Sequence, residues 1–365
     1  MKRLITSESV TEGHPDKICD KVSDKILDTA LEIDKNSKMA VECTIKDDVI
    51  FIYGEATTKA NLDYEKIAKE VIKDIGYQED YKVIVKVSKQ SKEINNAVCK
   101  TKISAGDQGI MFGYATNETE EYMPLPILLA NKLTMQLTKV RKNDKNSPLK
   151  PDGKSQVTVE YENNIPKRIR TIVIASQHQE NINNEELTKY IKEKVIEKVI
   201  PKKYIDNETE ILINTSGSFT IGGSFGDSGT TGRKIVVDAY GGSSKVGGGC
   251  FSSKDPTKVD RSAAYYARYV AKNVVYNQLS DICEIGVSYT IGKNNPISIN
   301  IETYNTNKKP LIDIYNFVEK NFDFSVNNII EELDLQRPIF YDTAAYGHFG
   351  RTDIIFPWEK TKRIH

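Results

Sequence analysis

The sequence has no net charge, no basic run and no long apolar run. Lysine and arginine together number 51 in 365 residues, and aspartate and glutamate also number 51. Because no basic field surrounds the chain, DNA or RNA is not expected as its main partner. No apolar run approaches the roughly 20 residues of a membrane span, and charged residues follow Met1 too soon for a signal peptide. We expect a cytoplasmic protein with no membrane partner.

Cysteine is scarce and unpatterned. The chain has five cysteines, an odd number, and no Cys-x-x-Cys pair. This pattern excludes a disulfide framework and gives no indication of a zinc site. Each cysteine is expected to be a small buried apolar residue, with Cys250 as the candidate for a reactive thiol because it lies in a glycine-rich loop. The five are Cys19, Cys43, Cys99, Cys250 and Cys283.

The glycine-rich loops contain no Gly-x-x-x-x-Gly-Lys-Ser/Thr string, so a P-loop fold is not indicated. Residues 247–262 nevertheless combine three glycines with Lys254, Lys258 and Asp260. Glycines let backbone N–H groups approach phosphate oxygens, lysines neutralise them, and a carboxylate can hold Mg²⁺. Alone, the loop is more typical of an ordinary surface turn than of a phosphate site. A second glycine-rich segment, 222–234, ends in two adjacent cations, and two such loops suit one polyphosphate.

A second candidate site lies at the start of the first predicted helix. Pro15 suits a first helical turn, and His14, Asp16 and Lys17 surround it. A helix N-terminus attracts anions, so His14 is placed to donate to a leaving oxygen, Asp16 to bind Mg²⁺ and Lys17 to meet phosphate. The alternative is a capping cluster with no ligand.

Two further glycine-containing strings are ambiguous. Residues 104–115 contain Asp107, which suits either a tight turn near a ligand or the entry to a strand. Residues 151–154 are typical of a plain turn unless Lys154 points at the same anion. Residues 89–106 have poor periodicity, which predicts either a mobile loop over the site or a surface excursion without function.

One order of elements, helix, strand pair, helix, occurs three times along the chain. This repeat predicts an α/β (α+β) protein of three similar modules packed with pseudo-threefold symmetry or against a second subunit. The expected domains are 1–103, 104–221 and 222–365. The predicted first helices are 15–33, 126–140 and 259–279; the strand pairs are 39–44 with 49–55, 156–161 with 169–176 and 284–289 with 296–304; the closing helices are 63–75, 184–199 and 311–321.

These motifs, in this order, closely resemble the S-adenosylmethionine synthetase (methionine adenosyltransferase) family. The matching strings are Glu-Gly-His-Pro-Asp-Lys, Gly-Asp-Gln-Gly-Ile-Met-Phe-Gly-Tyr-Ala, Pro-Asp-Gly-Lys-Ser-Gln-Val, Thr-Gly-Arg-Lys and Lys-Asp-Pro-Thr-Lys-Val-Asp-Arg-Ser. The similarity runs from Glu8 to Glu359, which is nearly the whole chain. It implies that the methionine sulfur attacks C5′ of ATP and that the released triphosphate is hydrolysed to pyrophosphate and phosphate.

The resemblance also implies a role for each matching residue. The implied catalytic residues are His14, Lys154, Arg233, Lys254 and Lys258. The implied ATP contacts are His14, Lys17, Asp152, Gly153, Lys154, Ser218, Phe219, Asp227, Arg233, Lys234, Cys250 and Lys254. Methionine contacts are implied for Glu55, Gln90, Asp107, Asp227 and Lys258. Asp16 and Asp260 would hold two Mg²⁺ ions per active site, and Glu42 would hold K⁺.

Family membership implies a homodimer or a dimer of dimers in which each active site is shared between two subunits. The sequence departs from the family at Ser218, usually arginine, at Cys250, usually alanine, and at Ser253, usually glycine. The loop 89–106 also diverges after Asn95. None of these departures removes one of the implied catalytic cations or a metal carboxylate, so an active enzyme is expected.

Two other functions remain open at this stage. An ATP-hydrolysing or phosphotransfer enzyme would use the same cationic loops without methionine, and Glu55 and Gln90 argue weakly against it. A catalytically silent nucleotide-binding subunit of an oligomer is the other. It would have no chemical reason to keep His14, Asp16 and the loop lysines together.

Overall fold

A computed structural model describes residues 2–89 and 104–364, which form a mixed α/β structure with three sheets. Gln90 and most of the loop 89–106 lie outside the described residues. The strands are β1 (Lys2–Val10), β2 (Lys38–Lys46), β3 (Val49–Thr57), β4 (Lys82–Ser88), β5 (Gly109–Thr116), β6 (Leu149–Glu162), β7 (Ile165–His178), β8 (Glu210–Ile213), β9 (Gly229–Thr230), β10 (Ile282–Tyr289) and β11 (Ser298–Glu302).

The helices include long amphipathic ones and several single turns. They are α1 (Pro15–Ile33), α2 (Tyr64–Ile75), α3 (Leu125–Asn143), α4 (Asn184–Ile191), α5 (Glu197–Val199), α6 (Gly223–Gly226), α7 (Ile235–Asp238), α8 (Val259–Tyr276), α9 (Leu311–Asn321) and α10 (Val326–Glu332). A π-helical turn, Lys192–Ile196, joins α4 to α5, and 3₁₀ turns occur at Lys202–Tyr204, Tyr341–Thr343 and Pro357–Glu359.

The three predicted repeats are present in the predicted order. Helix α1 has the predicted bounds, with Pro15 in its first turn and Ile18, Val22 and Ile26 buried on one face. Helix α2 begins at the cap Asp63, whose side chain accepts a hydrogen bond from the Lys66 N–H at 3.0 Å. Local signals of this kind depend on neighbouring residues only, which is why the sequence predicted the repeat.

Some predicted bounds were wrong. The helix predicted over 259–279 ends at Tyr276, and the helix predicted over 184–199 is interrupted by the π turn. Residues 151–154 belong to β6 and are not a turn. Strands β1, β4, β8 and β9 and helix α10 were not predicted, because their partners lie far away in sequence or because they are short. Strand β5 begins within residues 104–115, as one of the two alternatives for that string had it.

Each sheet takes one strand from a distant part of the chain. The strand orders are β1-β6-β7-β8, β4-β3-β2-β9 and β11-β10-β5. Strand β1 thus joins the central sheet, β5 joins the C-terminal sheet, and β9 joins the N-terminal sheet. These exchanges place Val10 opposite Lys154 and Thr44 opposite Thr230. The start of α1 is therefore held between β6 and β9.

The apolar interior forms two clusters. The larger one joins α1, α2 and α8 to the N-terminal and C-terminal sheets, and the smaller one lies between α3, α4 and the central sheet. Cys19, Cys43 and Cys283 are buried, as predicted, and Cys99 lies outside the described residues. Within residues 2–89 and 104–364, no helix has both the length and the apolar character needed to cross a membrane.

Candidate active site

His14 lies at the N-terminus of α1 and is almost completely buried. Its Nδ1 accepts a hydrogen bond from the Asp16 backbone N–H at 3.2 Å, so the ring caps the helix. Burial, and then the positive charges of Lys234 and Lys154, lower the pKa of His14 to about 3. The imidazole is therefore neutral at physiological pH. Because Nδ1 is the acceptor, the ring proton is on Nε2.

Asp16 is a buried carboxylate surrounded by donors. It accepts hydrogen bonds from the Thr230 N–H at 3.0 Å and from Lys234 Nζ at 2.5 Å, and Arg233 Nε lies 3.6 Å away. Burial alone would raise the pKa of Asp16, but the bonds from Lys234 and Thr230 lower it below its usual value. The predicted capping cluster is thus also an ionic cluster that includes the two cations of the second glycine-rich segment.

Glycine allows the second segment to approach α1. A Cβ on Gly229 would lie 2.1 Å from the Pro15 carbonyl oxygen, so no larger residue fits without movement. Thr231 continues the contact with α1, because its hydroxyl donates to the Cys19 carbonyl at 3.3 Å. Gly232 then donates to Asp20 Oδ1 at 2.8 Å. The segment is thereby held along α1, with Arg233 and Lys234 beside Asp16.

Helix α1 carries buried aspartates at every fourth position, so all four lie on one face. Each accepts a backbone N–H from a segment far along the chain. Asp16 binds Thr230 and Asp20 binds Gly232; Asp24 binds the Ser253 N–H at 3.0 Å, and Asp28 binds those of Phe340 and Tyr341 at 3.0 and 2.8 Å. We call this row the aspartate ladder; only its first member was predicted as functional. The repeat of aspartate on an amphipathic helix was the signal in the sequence.

Strand β6 brings Asp152, Gly153 and Lys154 to the same place. Lys154 is exposed, and its charge acts on both His14 and Asp152. Asp152 is buried and accepts the Gly223 N–H at 2.9 Å. Burial raises the pKa of Asp152 to about 6. Asp227 is exposed nearby, and its charge also acts on His14 and Asp152.

The segment that carries Ser218 and Phe219 is fixed by residues that were not predicted. His178 lies at the end of β7, and its ring Nε2 accepts a hydrogen bond from the Phe219 backbone N–H at 3.0 Å. The backbone N–H of His178 donates to the Phe219 carbonyl at 2.9 Å. Gln177 donates to the Thr220 carbonyl at 3.0 Å. Ser218 is exposed, and Phe219 is half-buried. Neither His178 nor Gln177 stands in a motif, so the sequence offered no signal for them.

A second group of charges lies at the N-terminus of α8. Lys254 is paired with Asp260, and Lys258 Nζ lies 3.1 Å from the buried Asp255. A Cβ on Gly249 would lie 2.2 Å from Asp260 Cγ, so glycine is required beside this carboxylate. Arg261, which was not predicted, binds Asp24 through both nitrogens at 2.8 Å and donates to the Lys254 carbonyl at 3.2 Å. The ladder therefore also fixes this loop.

Glu42 and Glu55 lie on the outer face of the N-terminal sheet, where alternate residues of β2 and β3 point away from the core. Glu55 is exposed and Glu42 half-exposed. Cys250 lies next to Gly232, and burial raises the pKa of its thiol to about 11 although Lys254 opposes this. The thiol is therefore protonated at neutral pH and does not resemble a reactive one. Asp107 is exposed at the entry to β5.

The structure does not bring Lys17 to these groups. Its side chain is fully buried, with Nζ 3.0 Å from Asp20 and paired with Asp238. The expected contact between Lys17 and a phosphate would require both ion pairs to break. Lys17 is therefore a structural neighbour of the site, which corrects its expected place in the ATP contacts.

The carboxylates have the character that a Mg²⁺ site beside a polyphosphate needs. Among the residues described, no three His, Cys, Asp or Glu side chains come together as a metal cluster. Mg²⁺ is commonly bound by only one or two carboxylates plus substrate phosphates. Asp16 and Asp260 each provide one carboxylate, and each is now paired with a lysine that a phosphate would attract. The donor set therefore fits Mg²⁺ that arrives with its nucleotide.

Comparison with known proteins covers the whole chain. The models of the N-terminal, central and C-terminal domains of S-adenosylmethionine synthetase match residues 2–100, 102–219 and 221–360, respectively. An S-adenosylmethionine synthase of Clostridium botulinum (strain Alaska E43 / Type E3) is 50% identical over 384 aligned residues, which cover 100% of this chain and 98% of the relative. The similarity includes every segment that contributes to the two charged groups, the first around Asp16 at the start of α1 and the second around Asp260 at the start of α8.

Proposed function

The chain belongs to the S-adenosylmethionine synthetase family, and from this premise we propose how its residues join ATP to L-methionine. The protein is an S-adenosylmethionine synthase: the methionine sulfur attacks C5′ of ATP, triphosphate leaves, and water splits it into pyrophosphate and phosphate. A thioether attacks without losing a proton, so the reaction needs no general base. It needs instead a site that orients the two substrates and stabilises the departing triphosphate.

We propose that the triphosphate lies between the two charged groups. The observation that carries this proposal is the ionic cluster at α1, where Lys234 and Arg233 surround Asp16 next to a neutral His14. Lys154 adds its charge from β6, and Lys254 and Lys258 add theirs from the loop before α8. Arg233, Lys234, Lys254 and Lys258 already lie within 4.0 Å of a carboxylate and can exchange that partner for phosphate oxygens at low cost in desolvation.

His14 is proposed to donate a hydrogen bond from its Nε2–H to the oxygen that leaves C5′. Its Nδ1 is occupied by the Asp16 N–H, which orients the ring and leaves Nε2–H as the free donor. A neutral donor stabilises the developing charge without itself being deprotonated. The low pKa of His14 means that the ring keeps this form over the whole physiological range of pH.

The remaining ATP contacts are proposed on the segments beside this cluster. Asp152 and Gly153 lie in β6 next to Lys154, Phe219 would stack near the adenine, and Ser218 lies beside Phe219. Asp227 and Cys250 complete the proposed ATP contacts. The two hydrogen bonds between His178 and Phe219 support this placement, because they hold the Phe219 backbone in one position before the nucleotide binds.

Methionine is proposed to bind Glu55, Asp107, Asp227 and Lys258, with Gln90 outside the described residues. Asp16 and Asp260 would hold two Mg²⁺ ions, and the half-exposed Glu42 carboxylate would hold K⁺. When bound, these cations would neutralise phosphate oxygens and raise the affinity for the triphosphate. The protein's own part is to hold single carboxylates where nucleotide oxygens can complete each coordination shell.

We propose that a second copy of the chain completes each site in a homodimer or a dimer of dimers. Glu42 and Glu55 share the outer face of the N-terminal sheet with Tyr53 and with Phe51, which lies next to the exposed Ile84 on β4. An open sheet face with apolar side chains favours association, and substrate residues on such a face need a second surface to exclude water. The expected domains 1–103, 104–221 and 222–365 remain the proposed organisation of each subunit.

The activity is tested with purified protein, ATP, L-methionine, Mg²⁺ and K⁺. We expect mass spectrometry to detect S-adenosylmethionine, and we expect pyrophosphate and phosphate to be released with it. No S-adenosylmethionine should form when methionine is omitted.

The role of Lys254 is tested with Lys254→Ala. This variant should lower the rate far more than it lowers the melting temperature, because a partly exposed loop lysine contributes little packing. Phosphate release without S-adenosylmethionine would support the ATP hydrolase instead, and a Lys254→Ala variant of normal rate would remove that lysine from the site.

A further inference from the structure

Lys17 is buried deeper than any role in phosphate binding requires. It lies on α1 one residue after Asp16, and no part of its side chain reaches the surface. Its Nζ is shared by two carboxylates: Asp20, at 3.0 Å, and Asp238. A lysine is costly to bury, so two buried anions that require a cation explain its position better than a substrate would.

Both aspartates help to hold residues 232–238, the segment that carries the proposed phosphate cations. Asp20 accepts the Gly232 N–H at 2.8 Å, and Asp238 closes α7 by donating its N–H to the Lys234 carbonyl at 2.8 Å. Arg233 and Lys234 lie between these two anchors. Lys17 thus fixes both ends of residues 232–238, the first end through Asp20 and the second end directly.

Other charges nearby do not replace Lys17. Arg261 is the next buried cation, but both of its terminal nitrogens are bonded to Asp24. His348 is neutral, because burial and then the charge of Lys17 lower its pKa well below the usual value. Its Nε2 lies 3.8 Å from Asp238. Burial raises the pKa of both carboxyls, to about 7 for Asp20, so without Lys17 the pair would have to take up protons or remain charged with no cation between them, and either outcome removes the bridge between Asp20 and Asp238.

We propose that Lys17 is a positioning residue for the phosphate site, acting through Asp20 and Asp238 to hold Arg233 and Lys234 beside Asp16. The inference rests on the proposed function, because it assumes that Arg233 and Lys234 meet the triphosphate. Lys17 itself contacts no substrate. Its removal should let residues 232–238 move away from α1, so that the binding of the triphosphate weakens although every proposed contact residue is still present.

A double-mutant cycle tests this inference. The variants are Lys17→Met, the pair Arg233→Ala with Lys234→Ala treated as one change, and all three substitutions together. The measurements are kcat, KM for ATP and the binding of inorganic tripolyphosphate to the full-length protein. If Lys17 acts through the segment, Lys17→Met and the pair should each lose about tenfold or more in kcat/KM, and the triple variant should be at most about threefold worse than the pair. If the two losses multiply, Lys17 acts independently of Arg233 and Lys234 and the inference is wrong.

A second background keeps the cycle measurable if Lys17→Met does not fold. The pair Lys17→Met with Asp20→Asn removes one charge of each sign, and the asparagine oxygen still accepts the Gly232 N–H. The matched control for a general loss of stability is Leu187→Ala, since Leu187 is also fully buried but lies in the smaller apolar cluster beside the central sheet. Its effect should multiply with that of the Arg233→Ala and Lys234→Ala pair, because a cavity in that cluster does not displace residues 232–238.

The cycle also separates this inference from the proposed function. If the pair Arg233→Ala with Lys234→Ala leaves kcat, KM for ATP and tripolyphosphate binding unchanged, the proposed phosphate site is wrong and the role of Lys17 falls with it. If the pair is impaired but its effect and that of Lys17→Met multiply, the phosphate site stands and only the positioning role is lost.

Discussion

At the scale of single residues, Ser253 has a backbone conformation that suits glycine. Its φ is +77°, in the left-handed region, and the family usually has glycine here. Its hydroxyl is buried and lacks a hydrogen-bond partner within residues 2–89 and 104–364. A left-handed conformation costs an L-residue about 1–2 kcal/mol. The departure noticed in the sequence therefore has a structural cost, while the Ser253 N–H still binds the aspartate ladder.

We predict that Ser253→Gly stabilises the protein. The neighbouring Ser252 is equally buried and its hydroxyl is equally unpaired in the described chain, but its φ is ordinary. Ser252→Gly is therefore the matched control for loss of the hydroxyl and for added flexibility. By denaturant unfolding, Ser253→Gly should be about 1–2 kcal/mol more stable than Ser252→Gly. Equal stabilities would mean that the loop relaxes the strain at no cost.

The Asp152 carboxyl predicts a dependence of stability on pH. Its pKa is about 6 in the folded protein, against an ordinary value of 3.8, because the group is buried. The folded state thus holds this proton more tightly, and the resulting stabilisation is complete below the ordinary pKa and is lost as pH rises through about 6. Asp152→Asn removes this dependence but keeps an oxygen that accepts the Gly223 N–H.

The measurement is the free energy of unfolding of wild type and Asp152→Asn at about pH 5 and about pH 8. The difference in the free energy of unfolding, Asp152→Asn minus wild type, should be about 1 kcal/mol larger at the higher pH than at the lower pH. Asp206→Asn is the control: the Arg168 hydrogen bond lowers the pKa of Asp206 to about 2, outside this range, so its effect on stability should not change. A constant difference for Asp152→Asn would show that its carboxyl titrates normally.

At the scale of elements, the aspartate ladder shows what a helix face contributes to the site. Apolar periodicity predicted α1 correctly, but it does not indicate which backbone N–H groups donate hydrogen bonds to the aspartates of that helix. Those groups belong to residues more than 200 positions away, such as Thr230 and Ser253. Their arrival depends on strand exchange between sheets, which leaves no local signal in the sequence.

The contact of β9 with α1 yields a prediction at this scale. Gly229→Ala would place a Cβ against the Pro15 carbonyl and push β9 away from the helix. We expect a loss of about 2 kcal/mol in stability and at least about tenfold in kcat/KM, because Thr230 and Lys234 would move from Asp16. Gly248→Ala is the control, since no heavy atom lies within 4 Å of its added Cβ and its φ is not positive.

The control should leave the free energy of unfolding within about 0.5 kcal/mol of wild type. Thermal unfolding and initial rates of S-adenosylmethionine formation, measured on both variants, give the comparison. If Gly229→Ala matches Gly248→Ala in stability and wild type in rate, then the close approach of β9 is not what positions Arg233 and Lys234.

At the scale of the whole molecule, the two charged groups suggest how copies of the chain cooperate. Lys154 acts on His14 at the first group, whereas Lys254 is paired with Asp260 at the second. If each active site takes one group from each subunit, Lys154→Ala and Lys254→Ala impair different halves of a site. A mixed dimer would then contain one site with both defects and one intact site.

We therefore predict complementation. Lys154→Ala and Lys254→Ala should each be nearly inactive, and denaturing and refolding an equal mixture should restore about a quarter of wild-type activity, because half of the dimers are mixed and half of their sites are intact. Sedimentation should show an assembly of at least twice the 41.1 kDa chain. A mixture as inactive as its components would place both groups in one subunit's site.

The sequence by itself determined the repeated order of helices and strands, the family and the residue types of the site, because caps, periodicity and motifs are local. The tertiary structure alone decided which residues meet. It removed Lys17 from the phosphate contacts, turned residues 151–154 into a strand beside His14, and brought in Asp20, Arg261 and His178. The physical reason is that burial and long-range strand pairing set the partner and the charge state of each group, and neither is a property of neighbouring residues.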